Sequence, residues 1–188
     1  CGSVDLLGLK YQAQINDPVY FIGGKIGSIG WTTALGWNMN ALVNLGGNIY
    51  AIGACPGTRG WRIGVRDPRG GLGTVGAILL ADAAVATSGN YENYVEIDGA
   101  RFGHLIDPRT GRPSDAVLSV TVVAPTALAA DALSTGFFVL GPAEAAEAAA
   151  SFPGVAVLFA LPSGEGIEYR TVGDFADRLI LGAEAAGR

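Results

Sequence analysis

Histidine is nearly absent from this chain: His104 is the single one in 188 residues. The only cysteines are Cys1 and Cys55, so no Cys/His spacing suited to zinc or an iron–sulfur cluster exists, and no disulfide framework can be built. Charge is also scarce. Asp, Glu, Lys and Arg make up 15% of the chain, the 12 basic residues are scattered, and the net charge is −5. Without a basic cluster the chain lacks the electrostatic footprint of a nucleic-acid binder, and no nucleic acid is expected as a partner. No apolar run approaches the roughly 18 residues needed to span a bilayer, and no signal-peptide apolar segment is present. Cys1 reads either as a chain boundary or as the lipid-bearing first residue of a mature lipoprotein, with the boundary reading carrying the greater weight.

What the chain has is glycine, 29 residues of it, within a composition that is 49% hydrophobic. That combination points to a compact fold with many tight turns and excludes disorder, which needs low hydrophobicity and high charge. Residues 1–35 are poorly periodic, with Val19–Ile22 the best strand candidate there. Strands are expected at Ala41–Leu45, Ile49–Ile52, Trp61–Val65, Thr74–Leu80 and Ala83–Thr87, with Ser88-Gly89-Asn90 a turn. Tyr91–Ile97 and Arg101–Ile106 flank Asp98-Gly99, a hairpin signal. Leu118–Val123 is β-branched. Thr126 is the candidate N-cap of a helix running to about Val139 and stopping at Gly141-Pro142. An alanine-rich helix follows at Ala143–Ala150, then a strand at Val155–Leu161 and a short helix near Phe175–Leu179. Strands outnumber helices, mostly in hairpin order, which predicts an α+β fold of mostly antiparallel sheet with packed helices. Neither an internal repeat nor a linker appears, so residues 1–188 read as one domain.

Three constellations bear chemistry. Asp131 and Thr135 stand four residues apart on a predicted helix and so share a face. Carboxylate plus hydroxyl is a hard-oxygen pair suited to Mg²⁺, and a position in the first turns would add the helix dipole for an anion. Ser134 stands beside Thr135, within reach of the same ion. Spacing alone favours the ordinary reading, an early-helix Asp, a helical Thr and a surface Ser. His104 is the one side chain with an ordinary titration near neutrality and is a candidate general base; against it stands a satisfied core histidine, at about even odds. Asp107-Pro108-Arg109-Thr110-Gly111 gathers a carboxylate, a cation able to meet phosphate and a hydroxyl in one turn, though a solvated surface turn is the plainer account. Gly46-Gly47-Asn48 and Thr87-Ser88-Gly89 are small-residue segments of the kind that let backbone amides approach a nucleotide. The glycines at 46 and 47 leave either a bulge or such a contact open.

Five segments taken together resemble a family. They are Asn40–Asn48, Ala86–Tyr91, His104–Pro113, Ser119–Val122 and Ala130–Thr135, and in order and spacing the chain is similar to the FAD:protein FMN transferases, the ApbE or flavin transferase family, over about Asn40 to Gly141. The resemblance implies transfer of FMN from FAD to a threonine hydroxyl of an acceptor protein, with Mg²⁺ as cofactor and AMP as the leaving group. Carried onto this chain, it implies Asp131, Ser134 and Thr135 as metal ligands and His104 as the catalytic base. Gly46, Gly47, Asn48, Thr87, Ser88, Gly89, Ile106, Asp107 and Thr110 become the flavin-nucleotide lining. Val4–Lys10 resembles an altered form of a further family segment, through which Asp5 would touch the flavin and Gly8 would ligate the metal. Residues 1–39 are otherwise atypical, and the family's substantial preceding region is missing, so the domain reads as shortened on that side. The resemblance also implies a threonine-bearing acceptor subunit of a redox membrane complex, on the exported side of the bacterial inner membrane. Periplasmic placement or anchoring through a lipidated Cys1 fits that setting. Two other readings stay open: an FAD pyrophosphatase giving FMN and AMP with water as nucleophile, and a non-catalytic flavin-binding module or one part of a two-chain enzyme.

Overall fold

The computed structural model describes residues 2–5, 28–33, 39–55, 57–69, 73–90, 94–97, 100–164 and 166–181. The first strands are β1 (Gly2–Asp5), β2 (Ser28–Thr33), β3 (Met39–Leu45), β4 (Asn48–Ile52), β5 (Trp61–Arg66), β6 (Thr74–Leu80) and β7 (Ala83–Gly89). Next come β8 (Tyr94–Ile97), β9 (Ala100–Gly103), β10 (Ile106–Asp107), β11 (Arg112–Pro113) and β12 (Ser119–Ala124). The chain continues through α1 (Ala127–Ala149), β13 (Ala156–Ser163), β14 (Gly166–Val172), α2 (Phe175–Arg178) and β15 (Leu179–Leu181). One eight-stranded sheet, ordered β1-β2-β3-β4-β7-β12-β13-β14, forms the centre; β15-β6-β5 make a second sheet, and β8-β9 and β10-β11 are separate ribbons. Neighbouring strands pair antiparallel throughout. The fold is therefore α+β, built on antiparallel sheet.

The central strands are apolar on both faces because both faces are covered. Along β12, Val120, Val122 and Ala124 enter one core with Phe137 and Phe138 of α1, while Val123 enters a second core with Ile63, Val65, Ile78 and Leu80 of the smaller sheet. The same alternation divides Ala84 and Ala86 from Ala83 and Val85 on β7, and Val157 and Phe159 from Ala156 and Leu158 on β13. Helix, large sheet and small sheet thus form three layers with the large sheet between.

Thr126 caps α1, its hydroxyl accepting the Ala129 amide at 3.2 Å. The expected stop at Gly141-Pro142 is a break within a longer helical span: Gly141 sits at φ 78°, ψ 171°, and the helix resumes at Pro142. Proline lacks an N–H to bond backward and bars its predecessor from helical geometry, so this break is local chemistry.

Two expectations need correction. Ser88 and Gly89 are strand rather than turn, because β12 offers a continuous ladder that pairs Val120 with Ser88 and Ser119 with Gly89. The strand expected at 101–106 ends at Gly103; the Ser114 amide donates to the Leu105 carbonyl at 2.8 Å, and Ile106 and Asp107 pair with Pro113 and Arg112 in their own ribbon. The strands β14 and β15 were not expected. The first is an edge of the large sheet whose alternation at Ile167, Glu168, Tyr169 and Arg170 follows directly on a glycine-rich turn, and the second has only three residues. Val19–Ile22 and Gly8 lie outside the described residues.

Candidate active site

One end of the large sheet collects most of the nominated residues. Antiparallel pairing of Ile49 with Val85 brings the 46–47 turn to the end of β7 that carries Ser88 and Gly89. There Gly46 (φ 61°) and Gly47 (φ 98°) form a two-residue turn between the paired Leu45 and Asn48, a conformation that glycine adopts without strain. The turn is exposed, and the Asn44 carboxamide accepts the Gly47 amide at 3.0 Å. These glycines serve a hairpin, and no bulge interrupts the pairing of β3 with β4.

Strand alternation separates Thr87 from Ser88. Ser88 shares its face with Ala84 and Ala86, under α1, and its hydroxyl lies 2.8 Å from that of Ser134 and 3.2 Å from that of Thr135. Thr87 points to the opposite face and pairs with the Thr121 hydroxyl at 2.9 Å. Their side chains therefore stand on opposite faces of the sheet, a consequence of strand conformation where a turn was expected. Ser134 is buried, with 1% of its surface exposed, and its hydroxyl donates to the Asp131 carbonyl at 2.9 Å. An ion arriving from solvent would meet Thr135 and Asp131, which are exposed, and not Ser134 behind them. Asp131 is the fifth residue of α1, beyond the first turn, which contains no acidic residue. The expected help from the helix dipole is accordingly weak, because that field is confined to the terminal turn.

The 103–115 segment is fastened over the same helix. The Ser114 hydroxyl donates to the Phe138 carbonyl at 3.4 Å, and the Asn90 amide nitrogen donates to the Ser114 carbonyl at 2.6 Å. Gly103 passes so close to the Asn90 side chain that a Cβ there would overlap it. His104 follows Gly103 in an exposed bend, and Leu105 packs against the α1 core. In the next turn, Asp107 accepts the Arg109 amide at 2.8 Å and its guanidinium at 3.0 Å, and Arg109 also binds Glu144 at 3.0 Å. The Arg109 guanidinium holds the Asp107 carboxyl below its ordinary value, and Asp107 raises that of Arg109. Both charged groups are thus engaged with each other, so the cation expected to meet phosphate is a tie between this turn and α1. The Thr110 hydroxyl accepts the Arg112 amide at 3.2 Å, and Ile106 stands 47% exposed. Asp5 lies on β1, in the strand two places from β3.

Sequence reasoning missed Asn90 and Ser114, which hold this segment in place. Both also border a cavity of about 710 Å³ lined by Arg69, Tyr94, Phe102 and Arg112 among others, and among the described residues none of those nominated lines it. The Asn90 side-chain oxygen is buried without a hydrogen-bond partner.

The ApbE family model matches residues 36–159. This chain belongs to the ApbE family. Among curated relatives, the FAD:protein FMN transferase of Treponema pallidum is 43% identical over 133 residues, covering 65% of this chain and 37% of that protein. That of Klebsiella pneumoniae is 41% identical over 129 residues, covering 68% and 37%. Among solved structures, the ApbE protein of Thermotoga maritima superposes with a TM-score of 0.65 at 40% identity, covering 75% of this chain and 45% of that one. The apo form of the Pseudomonas stutzeri flavinyl transferase ApbE gives 0.61 at 34% identity, covering 77% and 45%. The chain therefore spans a little over a third of the length of the curated relatives it matches. The family match encloses every nominated residue except Asp5 and Gly8.

Proposed function

We propose that this protein transfers FMN from FAD to a threonine hydroxyl of an acceptor flavoprotein, releasing AMP, with Mg²⁺ at Asp131 and Thr135. The observation that carries this reading is an exposed carboxylate and an exposed hydroxyl one helical turn apart, with the Ser88 hydroxyl of β7 3.2 Å from that of Thr135, in a chain of the ApbE family.

The donor set fits the metal. Mg²⁺ prefers hard oxygen, commonly takes one or two protein ligands, and completes its shell with water and substrate phosphate. No hydrogen-bond donor or cation occupies the Asp131 carboxylate among the described residues, and no cluster of three His, Cys, Asp or Glu competes for the ion there. When bound, the ion supplies positive charge that offsets the pyrophosphate in a chain of net charge −5. His104 takes the proton of the threonine hydroxyl as its oxygen bonds to the FMN-side phosphorus. The bond from that phosphorus to the AMP oxygen breaks, and AMP leaves with the electron pair. Ser88 and Ser134 stay behind the ligands, and the Asp107–Arg109 turn holds the segment that carries His104.

The acceptor in this reading is a subunit of a redox membrane complex, and the site of action is the exported side of the bacterial inner membrane. Among the described residues no helix is long and apolar enough to cross a membrane, and Cys1, the residue that would bear a lipid, lies outside them.

The test is AMP release from FAD with Mg²⁺, with and without a threonine-bearing acceptor peptide, and with EDTA as control. Metal-dependent AMP together with in-gel flavin fluorescence on the acceptor is the expected result. AMP and free FMN without any acceptor would replace the transferase by a pyrophosphatase. FAD binding with no AMP would make the chain a flavin-binding portion of a larger or two-chain enzyme.

A further inference from the structure

Three hydroxyls stand in one continuous line that begins at the proposed ligand Thr135 and runs behind it through Ser88 and Ser134, and counting their protons gives the line a direction. A serine or threonine hydroxyl has one proton to donate. Ser134 donates its proton to the Asp131 carbonyl at 2.9 Å, so in the 2.8 Å contact with Ser88 it is the acceptor and Ser88 the donor. The Ser88 proton is then committed, so in the 3.2 Å contact with Thr135 it is Thr135 that donates. The order is Thr135 to Ser88 to Ser134 to the Asp131 carbonyl.

We infer that Ser88 is a positioning residue for the metal, acting through Thr135. With its proton turned inward to β7, Thr135 presents lone pairs outward, on the exposed side of α1 that it shares with Asp131. A hydroxyl ligates a cation through a lone pair, so a Thr135 whose proton faced outward would repel the ion it should hold. The line ends on the main chain of Asp131, so one set of bonds fixes both ligand-bearing residues. Outer partners of this kind orient metal ligands, and their loss typically lowers metal affinity by about 10- to 100-fold. Ser88 is placed for this by register alone: its pairing with Val120 on β12 sets the face on which its hydroxyl stands. This inference rests on the proposed metal site and adds to it a role for a residue that need not touch ion or flavin.

The experiment measures Mn²⁺ binding by the loss of the free-ion electron paramagnetic resonance signal, with FAD present and absent, for the wild-type chain, Ser88→Ala and Asp131→Ala. Ser88→Ala is expected to bind Mn²⁺ about tenfold more weakly, with an unchanged melting temperature. Its Mg²⁺ half-saturation for AMP release should rise by the same factor as the Mn²⁺ dissociation constant measured without FAD, a correspondence that damage to the fold would not give. Wild-type affinity in Ser88→Ala, alongside lost binding in Asp131→Ala, would overturn the inference and leave the metal site standing. Failure of the wild-type chain to take up Mn²⁺ at all would overturn both.

Discussion

Arg109 joins the two halves of α1 across their break. One guanidinium nitrogen binds Glu144 at 3.0 Å, past Gly141, while the other reaches the Val139 carbonyl at 3.4 Å, before it. Asp107 holds the same guanidinium from below. Ion pairs this exposed contribute little to global stability. Their effect is local: they fix the 107–112 turn on the helix. In Arg109→Gln, amide hydrogen exchange across residues 105–113 should accelerate severalfold while the melting temperature barely moves. Unchanged exchange would mean that the Ser114 bonds to Leu105 and Phe138 hold the segment unaided.

The same pair sets a pH dependence. Hydrogen bonds from Arg109 lower the Asp107 carboxyl in the folded chain below its ordinary value of 3.8. The folded state thus favours the charged form, and the stabilisation is fully present above pH 3.8. It is lost as pH falls through the lowered folded value. Asp107→Asn removes the titration. The gap in melting temperature between wild type and Asp107→Asn should be constant from pH 7 to pH 5 and narrow below pH 4. A gap that changes across neutrality would assign the effect to another group.

Asp131 is exposed and its carboxylate supports no described contact, so its loss should spare the fold. Asp131→Ala is expected to abolish metal-dependent AMP release, a fall of at least about 100-fold by analogy with the loss of a major electrostatic stabiliser. The melting temperature in EDTA should match wild type. Retained turnover would remove Asp131 from the site.

How much of this was legible beforehand follows from where each signal lives. The N-cap at Thr126, the break at Gly141-Pro142 and the strands at 41–45, 61–65 and 74–80 are written in local chemistry, and the structure has them. The turn expected at Ser88 is overridden because this end of β7, beyond its pairing with β4, is held by β12, 31 or more residues further on, whereas Ser and Gly taken locally spell a turn. The same strand conformation turns the Thr87 side chain to the face opposite Ser88, toward Thr121. The spacing of Ser134 alone favours a surface serine and the family resemblance a metal ligand, and neither reveals that β7 lies against it. Local sequence leaves Arg109 open between phosphate contact and a surface turn, because its ties to Glu144 and Val139 are tertiary. The Asp131–Thr135 spacing was legible as a shared face, whereas the hydroxyl line behind it depends on a contact between residues 46 and 47 positions apart.

Gly141 gives the sharpest test of the helix break. Its φ of 78° and ψ of 171° belong to a region that residues with a Cβ essentially do not enter, at a cost of about 1–3 kcal/mol when forced. A Cβ at this position would meet nothing within 4 Å, so Gly141→Ala isolates the backbone term from any clash. The residue cannot escape into helical geometry, because Pro142 bars its predecessor from it. Gly141→Ala should therefore lower the melting temperature by roughly 2–10 °C for a chain of this size. The double variant Gly141→Ala, Pro142→Ala should recover part of the loss, since the helix could then run through. It would also move Glu144 relative to Val139 and so break the Arg109 bridge, and exchange across residues 105–113 should rise in the double variant even as stability returns. Equal melting temperatures for wild type and Gly141→Ala would show that the break is not held by Pro142, and would leave the Arg109 bridge without its present geometry.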